Sequence, residues 1–237
     1  MTRQCASVLR WLVAGAVIPA IPALAAASGD AGYRLLELDG YQVKWGEQRL
    51  GAAATVSYAF ADARLRFDDA RNCTDMAPAD QLAEHADLSL ETLKRETYTA
   101  FREWERVAGL SFREVDDPQD ADIIIGSQAQ PRGPAFANVT HKPGAVDGIK
   151  TIDRALVCLD PNHAWTIGFD GDTSTYDLRY TLMHEIGHTI GLDHPGPSGQ
   201  VMGFKYHEEF DRLQAGDQRG ALRLYGPGAV SAIDPEQ

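Results

Sequence analysis

The sequence predicts an α+β domain, and three observations carry that reading. Five short runs with strand character, at 56–60, 110–115, 122–127, 135–140 and 149–159, are separated by turn formers such as Asp116-Asp117-Pro118. One long run, Leu90 through Leu93, Thr97, Phe101, Trp104 and Ala108, places apolar residues three or four apart and meets Gly109, which predicts a core helix with a glycine stop. Residues 184–194 carry a histidine pair at helical spacing. No repeat or low-complexity array appears in the sequence, which excludes a solenoid.

The elements follow in chain order. Residues 1–27 hold Arg3 and Arg10, an apolar run from Trp11 to Leu24 interrupted by Pro19 and Pro22, and the small residues Ala23, Ala25, Ala26 and Ala27. This is the pattern of a signal peptide, too short and too Pro-broken for a membrane span, so the protein is expected to be secreted to the periplasm or beyond the cell without membrane insertion. Residues 28–54 form a polar, Gly-containing lead, either partly mobile or a short pro-segment. Val56–Phe60 begins the domain, residues 61–86 read as a loop with some helix, and the long helix follows. After the strands at 110–115, 122–127, 135–140 and 149–159, a second helix starts near Ser174 or Thr175, and a last one spans Leu213 to Tyr225 and ends at Gly226-Pro227. Residues 228–237 are a tail.

Composition narrows the function. The chain has 22 basic and 34 acidic side chains, a net charge of −12 that becomes −14 once residues 1–27 are removed. With no cluster of Lys and Arg interleaved with aromatics, nucleic acid is not an expected partner. Cys5 leaves with the leader, and the remaining Cys73 and Cys158 are either one disulfide or two buried thiols.

The chemistry is concentrated in His184-Glu185-Ile-Gly-His188-Thr-Ile-Gly191-Leu-Asp-His194. His184 and His188 lie on one helix face, and Gly191 can take positive φ, so the chain can turn and bring His194 to the same ion. Three imidazoles leave one position of a tetrahedral zinc open, the arrangement of a catalytic site in which a water is acidified. Glu185, beside a ligand but not one itself, is placed to move the proton. An ordinary amphipathic helix with solvated histidines would not need all five residues in this register.

This stretch resembles the signature of the metzincin metallopeptidases, which adds a methionine turn, here Met202 after the loop 195–199. Further segments resemble matrixin catalytic domains: Ala100-Phe101-Arg102-Glu103-Trp104, Leu110-Ser111-Phe112, Ala121-Asp122-Ile123, Cys158-Leu159-Asp160 with Trp165, and Leu224-Tyr225-Gly226. Pro195 after the third histidine is a serralysin feature, so the chain resembles the matrixin and serralysin branch, as a bacterial-type matrixin over residues 55–227. The resemblance implies a mixed, twisted five-stranded sheet, a long first helix, a zinc-binding helix and a C-terminal helix. It implies a secreted zinc endopeptidase that holds its protein or peptide substrate as an extended strand and acts as a monomer. Ala135, Phe136, Ala137 and Asn138 would line the edge strand, and Tyr206 the pocket beyond the scissile bond.

The chain departs from these families in having no Pro-Arg-Cys-Gly switch, no glycine-aspartate repeat array, and Phe204 where serralysins have a tyrosine two residues after the methionine. A second, structural zinc of animal matrixins needs histidines where this chain has Ala135 and Cys158, so one zinc is expected. Asp160, Asp170 and Asp172 lie in turn-rich sequence and could supply calcium ligands or only form turns. A catalytically silent zinc-binding or adhesion protein, and a zinc hydrolase of small amides, are the competing functions.

Overall fold

A computed structural model of the chain describes residues 32–85, 88–169, 175–196, 199–207 and 209–228. The leader expected at 1–27, the tail from 229 onward, and Asp170 and Asp172 lie outside the described residues. The chain begins with β1 (Arg34–Leu35), β2 (Glu37–Leu38), β3 (Tyr41–Lys44) and β4 (Ala54–Phe60). Next come β5 (Leu65–Arg66), β6 (Asp75–Ala77), α1 (Asp80–His85) and the long α2 (Leu90–Val107). The strands β7 (Leu110–Glu114), β8 (Ile123–Gln128), β9 (Ala135–His141) and β10 (Ile149–Leu159) follow. The C-terminal part holds β11 (Trp165–Thr166), β12 (Tyr176–Asp177), α3 (Leu178–Thr189), β13 (Leu192–Asp193) and α4 (Ala215–Tyr225).

The five expected strands make the centre of one mixed sheet in the order β7-β4-β8-β10-β9, parallel throughout except for β9, which runs antiparallel to β10. This is the α+β architecture of the metzincin fold. Helix α2 packs one face onto the sheet and α3 through Leu93, Ala100, Phe101 and Trp104, all essentially buried. Ser89 caps its start by accepting the N–H of Thr92. A part-buried ion pair joins α2 to α3, with Arg179 Nε and Nη2 donating to the buried Glu96 Oε2 at 2.8 and 2.6 Å. The indole N–H of Trp104 donates to the Met183 carbonyl at 3.1 Å, so both ends of that contact are satisfied in a dry core.

Residues 34–44, within the stretch read as a polar lead or short pro-segment, pair with strands of the rest of the fold. β1 pairs with β13, and β3 pairs with the start of β10. Val43 and Trp45 are buried, Trp45 donating its indole N–H to the Thr189 carbonyl at 2.8 Å. Lys44 is also buried, its ammonium held by the carbonyls of Trp45, Glu47 and Ala52, and burial pushes its pKa down to about 8. The sheet and core therefore reach N-terminally past residue 55. Strands of two to four residues leave too short a pattern for that to be read beforehand.

The stretch 61–85 resolves into β5, β6 and α1; Phe67, Ala70, Cys73 and Met76 cover the outer face of the sheet, while Ala79 and Leu82 join the main core. Cys73 in this region is disulfide-bonded to Cys158 of β10, closing a separation of 85 residues. Of the two alternatives left by the cysteine count, the bonded one holds, and Cys158 is thereby removed as a thiolate ligand for any metal.

Candidate active site

Helix α3 carries the first two histidines, and its local sequence fixes where it begins. Asp177 caps it, accepting the N–H of Tyr180 through Oδ1 at 2.9 Å and the N–H of Gly168 through Oδ2 at 2.9 Å. The start expected near 174–175 is thus shifted to Leu178, because Tyr176-Asp177 is drawn out to pair with Trp165-Thr166. Most of α3 is buried on every side, so no amphipathic stripe marks its start.

The helix ends where the motif requires. Gly191 has φ 98, and a side chain there would run into the Val43 carbonyl, so both conformation and space demand glycine. The turn carries β13 alongside α3 and presents His194 to the other two histidines. One ligand nitrogen from each of His184, His188 and His194 lies within 4.8 Å of the others. His184 donates Nδ1–H to the Val201 carbonyl at 2.7 Å, and His188 donates Nδ1–H to the Leu192 carbonyl at 2.9 Å. This leaves their Nε2 lone pairs facing inward. His184 Nε2 and His194 Nε2 stand 3.1 Å apart, close to the roughly 3.3 Å edge of a tetrahedron with bonds of about 2.0 to 2.1 Å. Burial, reinforced by the neighbouring rings, pushes His184 down to about 3, and burial pushes His188 down to about 4. Neutral imidazoles are the form a metal needs, so the donor set fits zinc.

Glu185 is 7 % exposed and is not part of the group of side chains close enough together to share one ion, which among the described residues is the three histidines. Burial pushes its pKa up to about 8, while the N–H of Ala137 donates to it and opposes the rise. A carboxyl group in this range exchanges a proton near neutral pH.

That contact also orients the edge strand. β9 pairs with β10 along one side only, and the Ala137 N–H turns to the other. By strand alternation, Ala135, Ala137 and Val139 therefore present backbone donors and acceptors to a cleft of about 830 Å³, which runs beside the triad. Phe136 lines the same cleft. Asn138 also lines this cleft; its side chain is buried, and its Oδ1 accepts the N–H groups of Arg71 and Asn72 at 2.8 and 3.1 Å, holding the outer loop over the strand. Leu36, Leu38 and Asp39 wall the cleft from the N-terminal segment, a contribution that no motif signalled.

A second pocket, of about 170 Å³, opens at the other end of β9 between Pro134, Tyr180, Phe204 and Tyr206. Tyr206 accepts the Asp177 N–H on its hydroxyl at 2.9 Å and packs edge-on against Tyr180. Asp160, one of the calcium candidates, turns its own loop by accepting the Asn162 N–H at 2.8 Å.

Met202 lies buried beneath the triad, and Gly187 leaves the space for it, since a Cβ at Gly187 would overlap the Met202 sulfur. The turn is anchored from α4. The buried Asp217 carboxylate accepts the N–H groups of Val201, Met202 and Gln214 at 2.9, 3.0 and 2.8 Å. A relay thus runs from α4 through the turn to the Val201 carbonyl and His184.

Sequence comparison agrees with this geometry. The peptidase family described as matrixin matches residues 80–226, more than half of the chain. The chain belongs to the matrixin family. Curated matrixin relatives include metalloendoproteinase 1-MMP of Arabidopsis thaliana, 31 % identical over 154 residues that cover 62 % of this chain and 42 % of that protein. The hatching enzyme of Paracentrotus lividus is 32 % identical over 151 residues, covering 62 % of this chain and 24 % of its own length. Matrix metalloproteinase-19 of Mus musculus is 29 % identical over 153 residues, covering 63 % and 28 %. This matrixin therefore spans less than half the length of these relatives. No helix among its described residues is long and apolar enough to cross a membrane.

The Asp217 anchor yields a prediction. Asp217→Ala strands three N–H groups, two of them buried, and the matrixin should lose about 3 kcal/mol or more of stability. Chemical denaturation would measure it, and a loss under about 0.5 kcal/mol would show that the turn holds itself.

Proposed function

We propose that the chain is a secreted zinc endopeptidase that cleaves extended peptides held on the free edge of β9. The observation that carries this reading is the convergence of three neutral imidazoles, a buried carboxyl group with a raised pKa and an unpaired strand edge around one cleft. Zinc, when bound, acidifies water and polarises a carbonyl.

The chain's own groups supply the rest. Ala135, Ala137 and Val139 pair with the substrate backbone by strand addition, which straightens the peptide and selects against folded segments. Glu185 takes the proton released by the attacking water on its carboxylate and returns it to the leaving nitrogen. The residue after the scissile bond enters the pocket bounded by Tyr180, Phe204 and Tyr206, while the residues before it run toward Val139 and the wall formed by Leu36 and Leu38. Export follows from the leader pattern of residues 1–27, and an oxidising destination suits the Cys73–Cys158 bond. The strands at 34–44 remain with the mature enzyme, because they carry part of its core.

The test is a digest of a peptide library by the purified mature protein, with metal content measured on the same sample. Internal cleavage abolished by a chelator, with close to one zinc per chain, is the expected result. Hydrolysis confined to small amides, or zinc without any cleavage, would rule out the endopeptidase reading.

A further inference from the structure

The three ligands are not held alike. His184 and His188 sit in a helix, each with Nδ1–H bound to a carbonyl, so their ring planes are fixed from the far side. Among the described residues, His194 has neither support. It follows β13 outside the helix, and its Nδ1 stands 3.8 Å from the nearest carboxylate oxygen, Asp193 Oδ1, beyond hydrogen-bond reach. That carboxylate is engaged elsewhere, since Oδ1 accepts the backbone N–H of His194 at 2.8 Å and Oδ2 pairs with Arg34 at 3.2 Å.

What lies against the His194 ring is Phe204. The ring centroids are 3.9 Å apart and the planes differ by 33°, a tilted, face-on contact. Phe204 is 74 % exposed, which packing alone does not account for in a side chain of this size. It is also carried on a rigid base, two residues after Met202, whose N–H is tied to Asp217.

We propose that Phe204 is the positioning residue of the third zinc ligand: its flat face fixes the His194 imidazole where a hydrogen bond fixes the other two. This rests on reading the triad as a zinc site. The stack restricts rotation about the His194 side-chain bonds and keeps Nε2 directed at the point that His184 Nε2 also faces. Loss of the stack leaves the ligand in place chemically but free to swing away, so the zinc should dissociate faster while the fold stays intact.

The experiment follows transfer of zinc from the loaded, full-length mature protein to an excess of a chromogenic chelator, for the parent and for Phe204→Ala, Phe204→Leu and Phe204→Trp. Because the side chain is exposed, the thermal midpoint of the metal-free protein should be the same in all four. Zinc release about tenfold faster for the Ala and Leu variants, with the Trp variant within about twofold of the parent, is expected. Release from the Ala and Leu variants within about twofold of the parent overturns the proposal, and equally fast release from the Trp variant overturns the role of the flat face. Failure of the parent to take up zinc would instead overturn the metallopeptidase reading, and this inference with it.

Discussion

Glu185→Gln should abolish peptide cleavage, by about 10²- to 10⁴-fold in kcat, while zinc content and fold remain those of the parent. The amide keeps the shape of the side chain, and its oxygen can still accept the Ala137 N–H that now reaches the carboxylate. What it loses is the ability to take and return a proton. Zinc affinity is untouched because the metal cluster consists of His184, His188 and His194 alone among the described residues. The substitution also has a signature in pH. Burial raises the folded-state pKa of Glu185 to about 8, so in metal-free protein this group favours the fold at low pH. That contribution fades as pH rises from the ordinary carboxyl range through about 8. The variant lacks this term, so its stability relative to the parent should rise across the window. Turnover near that of the parent, in a variant shown to hold zinc, would sink the proton-transfer role.

His194→Ala should lower zinc affinity by about two orders of magnitude or more, and activity with it. His184 and His188 both come from α3 and approach the ion from one side, leaving it under-coordinated without the third imidazole. The fold should survive the change, because β13 is secured independently through its pairing with β1 and the hydrogen bond from Leu36 N–H to the Gly191 carbonyl. Dialysis against a mild chelator followed by metal analysis measures the effect. Zinc retained to the same extent as in the parent would show that His194 is not a ligand.

The two predictions draw on the part of the protein that was legible from sequence. A four-residue histidine spacing on a helix forces both rings to one face, and a glycine able to adopt positive φ permits the turn that brings in the third. These are local constraints of backbone geometry and leave few alternatives. The long first helix was legible for a related reason: one face is buried and the other solvated, so the apolar spacing at Leu93, Ala100, Phe101 and Trp104 shows in the composition. The start of α3 was misplaced because a helix buried on most sides has no such contrast, and because Tyr176-Asp177 is extended by pairing with the preceding two-residue strand, too short to leave a pattern.

The sequence by itself determined the spacing that gathers the three histidines, the neighbouring carboxyl group, the five central strands and the family signature, since each rests on contacts within a few residues or on short periodic patterns. Only the tertiary structure decided the rest. It joined Cys73 to Cys158, engaged the Asn138 side chain with the backbone of Arg71 and Asn72 at the cleft wall, and tied the Met202 turn to Asp217. It also folded residues 37–44 into the sheet, set Leu36, Leu38 and Asp39 in the cleft wall, and laid Phe204 against His194. The physical reason is common to all of these. Each depends on groups brought together by the packing of separate elements, where burial makes an unmet donor or acceptor costly and so selects a partner that spacing along the chain does not specify.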